Sequence, residues 1–504
     1  MEAVWLNRWP DFVLTMRGDV KTAPSLENGT VDMTRVLFVG SGFCPSRGVA
    51  GELPRFLLDA GVDVDLIVPH LEGMDDGEGR LAERLVSLRA FVDGEDRNMR
   101  MLEGRREGHV RTFYVDEKSL NVRALSLRTD DGIRGLTVFA HAVVQWLMRA
   151  PFHYDVVHCD GIEASLVAAL MRTSYANDSK LKNIKIVCSV AGIEDKGSID
   201  MSWLARIGLP DNMASSEYME FYGKLSVLKG AYLFADAIVF PNDSIRRKIE
   251  KNRGKDIGME GVLFDRMEKL HHVALGIDTK AFDPATSSKI KANFNPNDLA
   301  GKAQCKDALI EKLHLKKNRP VLAFIGCLDS ESGIDLINDI LDDLMDRNVN
   351  LVIAGRGNEK YLEAVTAWKN EFKGSIAVLP GIPSREVRHE ILSGSDIVLL
   401  PGKNETLGRQ HLLAMRYATV VVARYQGCVV NDINRVRDID HVGAEENGFV
   451  FFKYDSDEFF DAVMDALDVY ETPAFNDLRT RSAAKSQSLV QTAKDFAELY
   501  SSLM

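Results

Sequence analysis

A chain of 504 residues is too long for one hydrophobic core, because single cores stop growing near roughly 250–300 residues. Its 45% hydrophobic and 27% charged residues are ordinary for a globular protein. The net charge of -12, from 62 basic and 74 acidic residues spread along the chain, excludes nucleic acid as a bulk partner, yet it allows a small phosphate site built from a few local cations.

Residues 1–32 alternate polar and apolar and carry Glu2, Asp11 and Asp19 where a signal peptide would be positive. Either Met33 is the natural start or residues 1–32 form a loose arm. No run reaches the ~18 apolar residues that span a bilayer, so a cytoplasmic protein without a membrane partner is expected. Cys44, Cys159, Cys188, Cys305, Cys327 and Cys428 form no CxxC pair. They signal neither a zinc nor a thioredoxin-type site and suit free thiols in a reducing compartment.

From Met33 onward strand and helix signals alternate. Arg35–Gly40 reads as a strand, 51–60 as a helix and Val62–Pro69 as a strand. Strands follow at 155–158, 184–189 and 237–241, with helices at 162–172 and, long and amphipathic, at 217–234. The stretch 284–318 is polar and reads as a boundary. Alternation then restarts, with strands at 320–326, 349–355, 375–379, 396–400 and 419–423. Helices are expected between them at 333–345, 384–392 and 407–417, and a last one at 486–503. Continuous apolar strands separated by helices predict parallel sheets covered on both faces. Two doubly wound α/β sheets place a ligand cleft at the carboxyl ends of their strands.

Several segments carry a specific likeness. Glu220-Phe221-Tyr222-Gly223-Lys224 leads to Leu228-Lys229-Gly230 and Ala235-Asp236. Leu275-Gly276-Ile277-Asp278 is followed by Phe282-Asp283-Pro284. Further on stand Gly301-Lys302, Lys306 and Leu309, then Gly326, Gly333-Ile334-Asp335-Leu336 and Gly355-Arg356-Gly357-Asn358. Last come Pro401, Glu405, Gly408, Met415-Arg416-Tyr417 and Thr419, with Arg424 and Gly427 beyond. In order and spacing these resemble the bacterial glycogen synthases and plant starch synthases from about Met33 to the last helix.

The resemblance implies the GT-B fold, with two Rossmann-like domains facing across a cleft. It places an acceptor-side domain at 33–283, a linker region at 284–318 and a nucleotide-sugar domain at 319–485. The helix 486–504 would pack back on the first domain. The implied activity is transfer of glucose from ADP-glucose to the non-reducing end of an α-1,4-glucan. Nucleotide-sugar and α-glucan are then the partners, and no metal or other cofactor is required where Arg and Lys hold the diphosphate.

Against that family the site departs in several places. An Arg-Leu-Thr-x-x-Lys-Gly segment is here Cys327-Leu328-Asp329-Ser330-Glu331-Ser332-Gly333, so Cys327 and Ser332 stand at the positions of both phosphate-binding cations. A Lys-Thr-Gly-Gly-Leu loop becomes Pro45-Ser46-Arg47-Gly48-Val49, and His-Asn becomes Ala191-Gly192. His-x-His-Asp-Trp-His becomes His158-Cys159-Asp160-Gly161-Ile162-Glu163. Glu405 remains where the family has a sugar-facing glutamate. Gly355, Gly357, Lys403, Leu407, Gly408, Arg409 and His411 are donor-side candidates, since Leu407-Gly408-Arg409 is expected to open a helix whose free amides suit phosphate. Arg47, Gly48, His158 and Asp160 are acceptor-side candidates.

Plain alternatives accompany these readings. His158 ends a buried strand and suits a hydrogen-bonded core position equally. Lys224 and Lys229 suit a charged helix face, Cys327 a small buried hydrophobe, and Gly355-Arg356-Gly357 a strand-end turn. Losing two phosphate cations predicts reduced or altered activity, because one such group typically contributes about 100-fold or more in rate. The alternatives are a non-catalytic glucan-binding or regulatory homologue, and a hexosyltransferase with a changed donor or acceptor.

Overall fold

A computed structural model describes residues 33–40, 51–71, 78–105, 110–120, 125–190, 196–252, 259–381, 383–403, 409–485 and 487–504. Two large sheets organise it. The first has strands β1 (Arg35–Gly40), β2 (Asp63–Pro69), β3 (Glu78–Val92), β4 (Glu95–Arg105), β5 (Arg111–Asp116), β6 (Val156–Asp160) and β7 (Lys185–Ser189). A small antiparallel sheet follows, made of β8 (Ser198–Ile199), β9 (Glu220–Phe221) and β10 (Lys224–Ser226). Strands β11 (Ala237–Phe240) and β12 (Leu270–His272) then complete the first sheet, in the order β12-β11-β7-β6-β1-β2-β5-β4-β3.

The second sheet has β13 (Val321–Ile325), β14 (Asn350–Gly355), β15 (Ile376–Pro380), β16 (Ile397–Leu400), β17 (Val420–Arg424) and β18 (Phe449–Phe451). Its order is β15-β14-β13-β16-β17-β18, and all its pairs are parallel. Apolar side chains leave both faces of each sheet into separate cores, so each sheet is the middle layer of a helix–sheet–helix sandwich. This is the two-lobed α/β arrangement read from the alternation. Among the described residues no helix is long and apolar enough to cross a membrane.

Four expectations need correction. The first sheet is mixed: β3 and β4 form a long antiparallel hairpin on its edge. The expected helix 217–234 is a β-hairpin followed by the short helix Val227–Phe234. Tyr222 and Gly223 take positive φ at 50° and 77°, which a helix cannot continue through. The stretch expected to be a linker contains the helix Ala300–Leu313, and its Cys305, Leu309 and Ile310 belong to the second lobe's core. The segment 333–345 is two short helices, Ile334–Asp339 and Leu341–Asp346, divided at Ile340.

The lobes are joined twice. Residues 275–278 and 487–489 run side by side, with the Ile277 N–H donating to the Gln487 carbonyl at 3.0 Å and the Leu489 N–H to the Ile277 carbonyl at 2.9 Å. The Thr492 hydroxyl donates to the Ala274 carbonyl and accepts from the Gly276 N–H. Beyond this crossing the helix Leu489–Ser502 enters the first lobe. Leu489, Ala493, Phe496 and Tyr500 lie in one core with Val36, Phe38, Leu57 and Val64.

Candidate active site at the facing sheet edges

Three contacts show which edges of the sheets meet. Arg409, which follows β16, places Nη1 2.7 Å from Oε2 of Glu52, which follows β1. The same guanidinium donates to the Gly276 carbonyl at 3.3 Å. Asn431, beyond β17, donates its amide to the carbonyl of Pro241, directly after β11, at 3.4 Å. The carboxyl ends of both sheets therefore face each other, which is where open α/β sheets bind ligands.

The second lobe's side of this site is a floor of strand-end loops. The Leu328 N–H donates to the Arg356 carbonyl at 2.7 Å, and the Asn358 N–H to the Leu328 carbonyl at 3.3 Å. That approach needs glycine: a Cβ on Gly355 would stand 1.9 Å from the Gly326 oxygen, and one on Gly357 2.2 Å from the Leu328 oxygen. The Lys403 N–H donates to the Glu331 carbonyl at 2.8 Å. Arg424 and Gln426 donate to the carbonyls of Lys403 and Gly402 at 2.8 and 2.7 Å. The loops after β13, β14, β16 and β17 are thus tied into one surface, and Gly355 and Gly357 serve its packing.

Among the described residues this floor offers few available cations. Cys327 is half-buried, Ser332 turns its hydroxyl onto the Asp329 carbonyl at 2.8 Å, and Glu331 is exposed. The Lys403 ammonium sits 4.8 Å from the centre of the Tyr454 ring, a cation–π contact. Arg409 is held by Glu52. Arg356 is exposed on the turn after β14.

His411 is fully buried, and its Nε2 lies 2.8 Å from Asp432 Oδ2. It is an internal residue, and the helix expected from Leu407 runs from Gln410 to Arg416. Glu405, Leu407, Gly408, Arg47, Gly48 and Ala191 lie outside the described residues.

In the first lobe His158 and Asp160 share a hydrogen-bonded chain. The Ser189 hydroxyl donates to Asp160 Oδ1 at 2.8 Å, so its oxygen accepts from His158 Nε2 at 2.9 Å. His158 Nδ1 then accepts the Tyr500 hydroxyl at 2.6 Å. The imidazole is packed against Phe38 and Phe496, and burial pushes its pKa down to about 3. It is a neutral core histidine that anchors the last helix, whereas Asp160 stays half-buried at the end of β6. Lys229 is also internal, donating to the carbonyls of Ser216 and Glu220, while Lys224 is exposed on β10.

Glu52 is the site residue that sequence reasoning missed. An acid just before the helix Leu53–Asp59 reads as an ordinary helix-start charge, and its partner is 357 residues away.

Comparison with known proteins agrees with this geometry. Residues 35–265 match the family model described as starch synthase catalytic domain, and residues 306–481 match glycosyl transferases group 1. Glycogen synthase 2 of Geobacter sulfurreducens is 29% identical over 449 residues, covering 86% of this chain and 92% of the relative. Glycogen synthase of Bacillus cereus is 27% identical over 477 residues, covering 93% and 98%. The catalytic domain of starch synthase IV from Arabidopsis thaliana, a structure bound to ADP and acarbose, superposes with a TM-score of 0.82 at 22% identity, covering 94% of this chain and 99% of that one. Facing α/β lobes, the two family matches in tandem and near-complete coverage of these relatives make this chain a member of the glycogen/starch synthase family of GT-B glycosyltransferases.

Proposed function

We propose that this glycosyltransferase homologue takes a nucleoside-diphosphate glucose, with ADP-glucose the expected donor, and an α-1,4-glucan acceptor, and that it transfers glucose far more slowly than its relatives. The carrying observation is the loop Cys327–Gly333. It lies in the strand-end floor of the second lobe, and where the resemblance sets the family's two phosphate cations it carries Cys327 and Ser332, with the carboxylate of Glu331 beside them. A leaving diphosphate needs preorganised positive charge as the glycosidic bond breaks. Of the cations that could substitute, Arg409 is paired with Glu52, Lys403 is stacked on Tyr454 and Arg356 is exposed on the turn after β14, while Arg47 lies outside the described residues.

The test is glucosyl transfer from ADP-glucose to maltoheptaose, comparing the natural chain with the double variant Cys327→Arg/Ser332→Lys. Restoring both cations is expected to raise the rate by about 100-fold or more. A natural chain that already turns over as fast as the double variant overturns the proposal. The Glu52–Arg409 pair also supports a second reading, a non-catalytic glucan-binding homologue. A double variant that binds ADP and glucan yet transfers nothing would favour it.

A further inference from the structure

The first sheet changes direction beside β6. From β1 the strands run through β2 to β5 on one side and through β6, β7, β11 and β12 on the other. In an open α/β sheet the crevice at such a switch point, outside the carboxyl ends of its central strands, takes the ligand. Gly40 ends β1 and Asp160 ends β6, and the two are partners in the register. Ser189, which ends β7, is the partner of Asp160 on the other side. Asp160 thus brings a carboxylate to the middle of the first lobe's strand-end edge.

That carboxylate is reached from the far end of the chain. Tyr500, fully buried on the last helix, donates its hydroxyl to His158 Nδ1 at 2.6 Å. His158 Nε2 donates to Ser189 Oγ at 2.9 Å, and Ser189 donates to Asp160 Oδ1 at 2.8 Å. All three donors point toward Asp160. Burial and the Asp160 charge push the Tyr500 pKa well above the ordinary 10, so its hydroxyl keeps the proton it donates. The neutral imidazole has one N–H to place, and the Tyr500 hydroxyl on Nδ1 fixes it on Nε2. Without that hydroxyl the proton can move to Nδ1. Nε2 then becomes an acceptor, and Ser189 turns its single proton from Asp160 to the ring.

We infer that Tyr500 is a positioning residue: through His158 and Ser189 it holds the Asp160 carboxylate in place for a hydroxyl of the bound sugar. The inference rests on the sugar binding of the proposed function and adds control by the last helix. That helix starts where the lobes are joined, at the Leu489 N–H bonded to the Ile277 carbonyl. The hydrogen-bonded chain therefore ties Asp160 to the inter-lobe crossing. A glucan and a sugar nucleotide both offer such hydroxyls, and maltoheptaose and ADP-glucose are the probes that tell them apart.

Nitrogen-15 spectra of the histidine-labelled full chain test the first step, with His158→Gln assigning the signal. The natural chain is expected to show the Nε2–H tautomer, and Tyr500→Phe to populate Nδ1–H. Tyr500→Phe keeps the ring stacked on Phe496, so the fold is retained. Calorimetry tests the second step. Asp160→Asn is expected to weaken one of the two probes by about tenfold, as for a contact to a charged group. Tyr500→Phe and Ser189→Ala should each weaken that same probe by about threefold, and the double variant should match Ser189→Ala alone, because Tyr500 acts through the proton on Ser189. Additive losses would reduce both residues to packing and overturn the inference. So would an unchanged tautomer in Tyr500→Phe, or probe affinities that Asp160→Asn leaves as they were. A natural chain that binds neither probe overturns the proposed function itself, and the tautomer, which needs no ligand, keeps the two failures distinct.

Discussion

Arg409 and Glu52 meet at 2.7 Å across the lobes, one just after β16 and the other just after β1. The pair gives an inter-lobe guanidinium, a candidate for the diphosphate under the proposed function, an internal counter-ion. Replacing Glu52 by Gln keeps the shape and removes the competing charge. ADP should then bind about fivefold more tightly, in line with about 1 kcal/mol for a charge-assisted contact. Stability should change by less than about 1 kcal/mol, because the pair is partly solvated. Calorimetry with ADP checks this, and unchanged or weaker binding would show that Arg409 does not serve the nucleotide.

Gly355→Ala should separate the loops after β13 and β14. Its methyl group would have to occupy the Gly326 carbonyl oxygen, 1.9 Å from the ideal Cβ. Backbone must move, at a cost of about 1–3 kcal/mol. Urea unfolding should show that loss. ADP affinity should fall with it, because the same two loops carry Cys327 and Arg356.

Lys302 is 3% exposed, and its ammonium reaches the carbonyls of Leu392, Ser393 and Tyr417 and the Thr419 hydroxyl at 2.9–3.3 Å. Two of those carbonyls end the helix Arg385–Gly394, and Tyr417 follows the helix Gln410–Arg416. One lysine, whose pKa burial pulls well below the ordinary 10.5, therefore satisfies two helix carboxyl ends through its N–H donors. Lys302→Met preserves the stem and removes the donor to the Ser393 and Tyr417 carbonyls, while the Thr419 hydroxyl still serves Leu392 at 2.7 Å. The expected loss is about 3 kcal/mol or more, given roughly 1–3 kcal/mol per buried unsatisfied group. Thermal melting that matches the natural chain would refute the capping role.

His158 makes stability depend on pH. Its pKa falls from 6.5 to about 3 on folding, so between those values the unfolded chain binds the extra proton. Its contribution is complete above pH 6.5 and is lost as pH falls toward 3, by about 1.4 kcal/mol per pH unit. From pH 7 to pH 5 the natural chain should lose about 2 kcal/mol through this group. His158→Gln should remove that part of the slope, leaving the parts from His141, His271 and His389, whose pKa values burial also lowers. Denaturant titrations at the two pH values decide the matter; equal slopes would place the titration elsewhere.

Most parallel strands were legible because they are short, continuous apolar runs, as in Val321–Ile325 and Ile397–Leu400, whereas the parallel strands β5, β12 and β18 were not read. The β3–β4 hairpin was not, since its outward residues are charged and no apolar run marks it. The helix Ala300–Leu313 hid inside a polar stretch, because only Gly301, Lys302, Cys305, Leu309 and Ile310 turn inward. At the site, the resemblance alone sets Cys327 and Ser332 opposite the family's phosphate cations. The engagement of Arg409, Lys403 and His411 could not, because Glu52, Tyr454 and Asp432 are brought to them only by the folded chain.

The return of residues 489–500 into the first lobe sets an order of events during synthesis. Val36, Phe38 and His158 leave the ribosome hundreds of residues before Phe496 and Tyr500, which cover them. The lobe translated first is therefore the last to close. A chain truncated after residue 485 should carry a finished second lobe beside a first lobe with an open apolar seam, a natural target for chaperones.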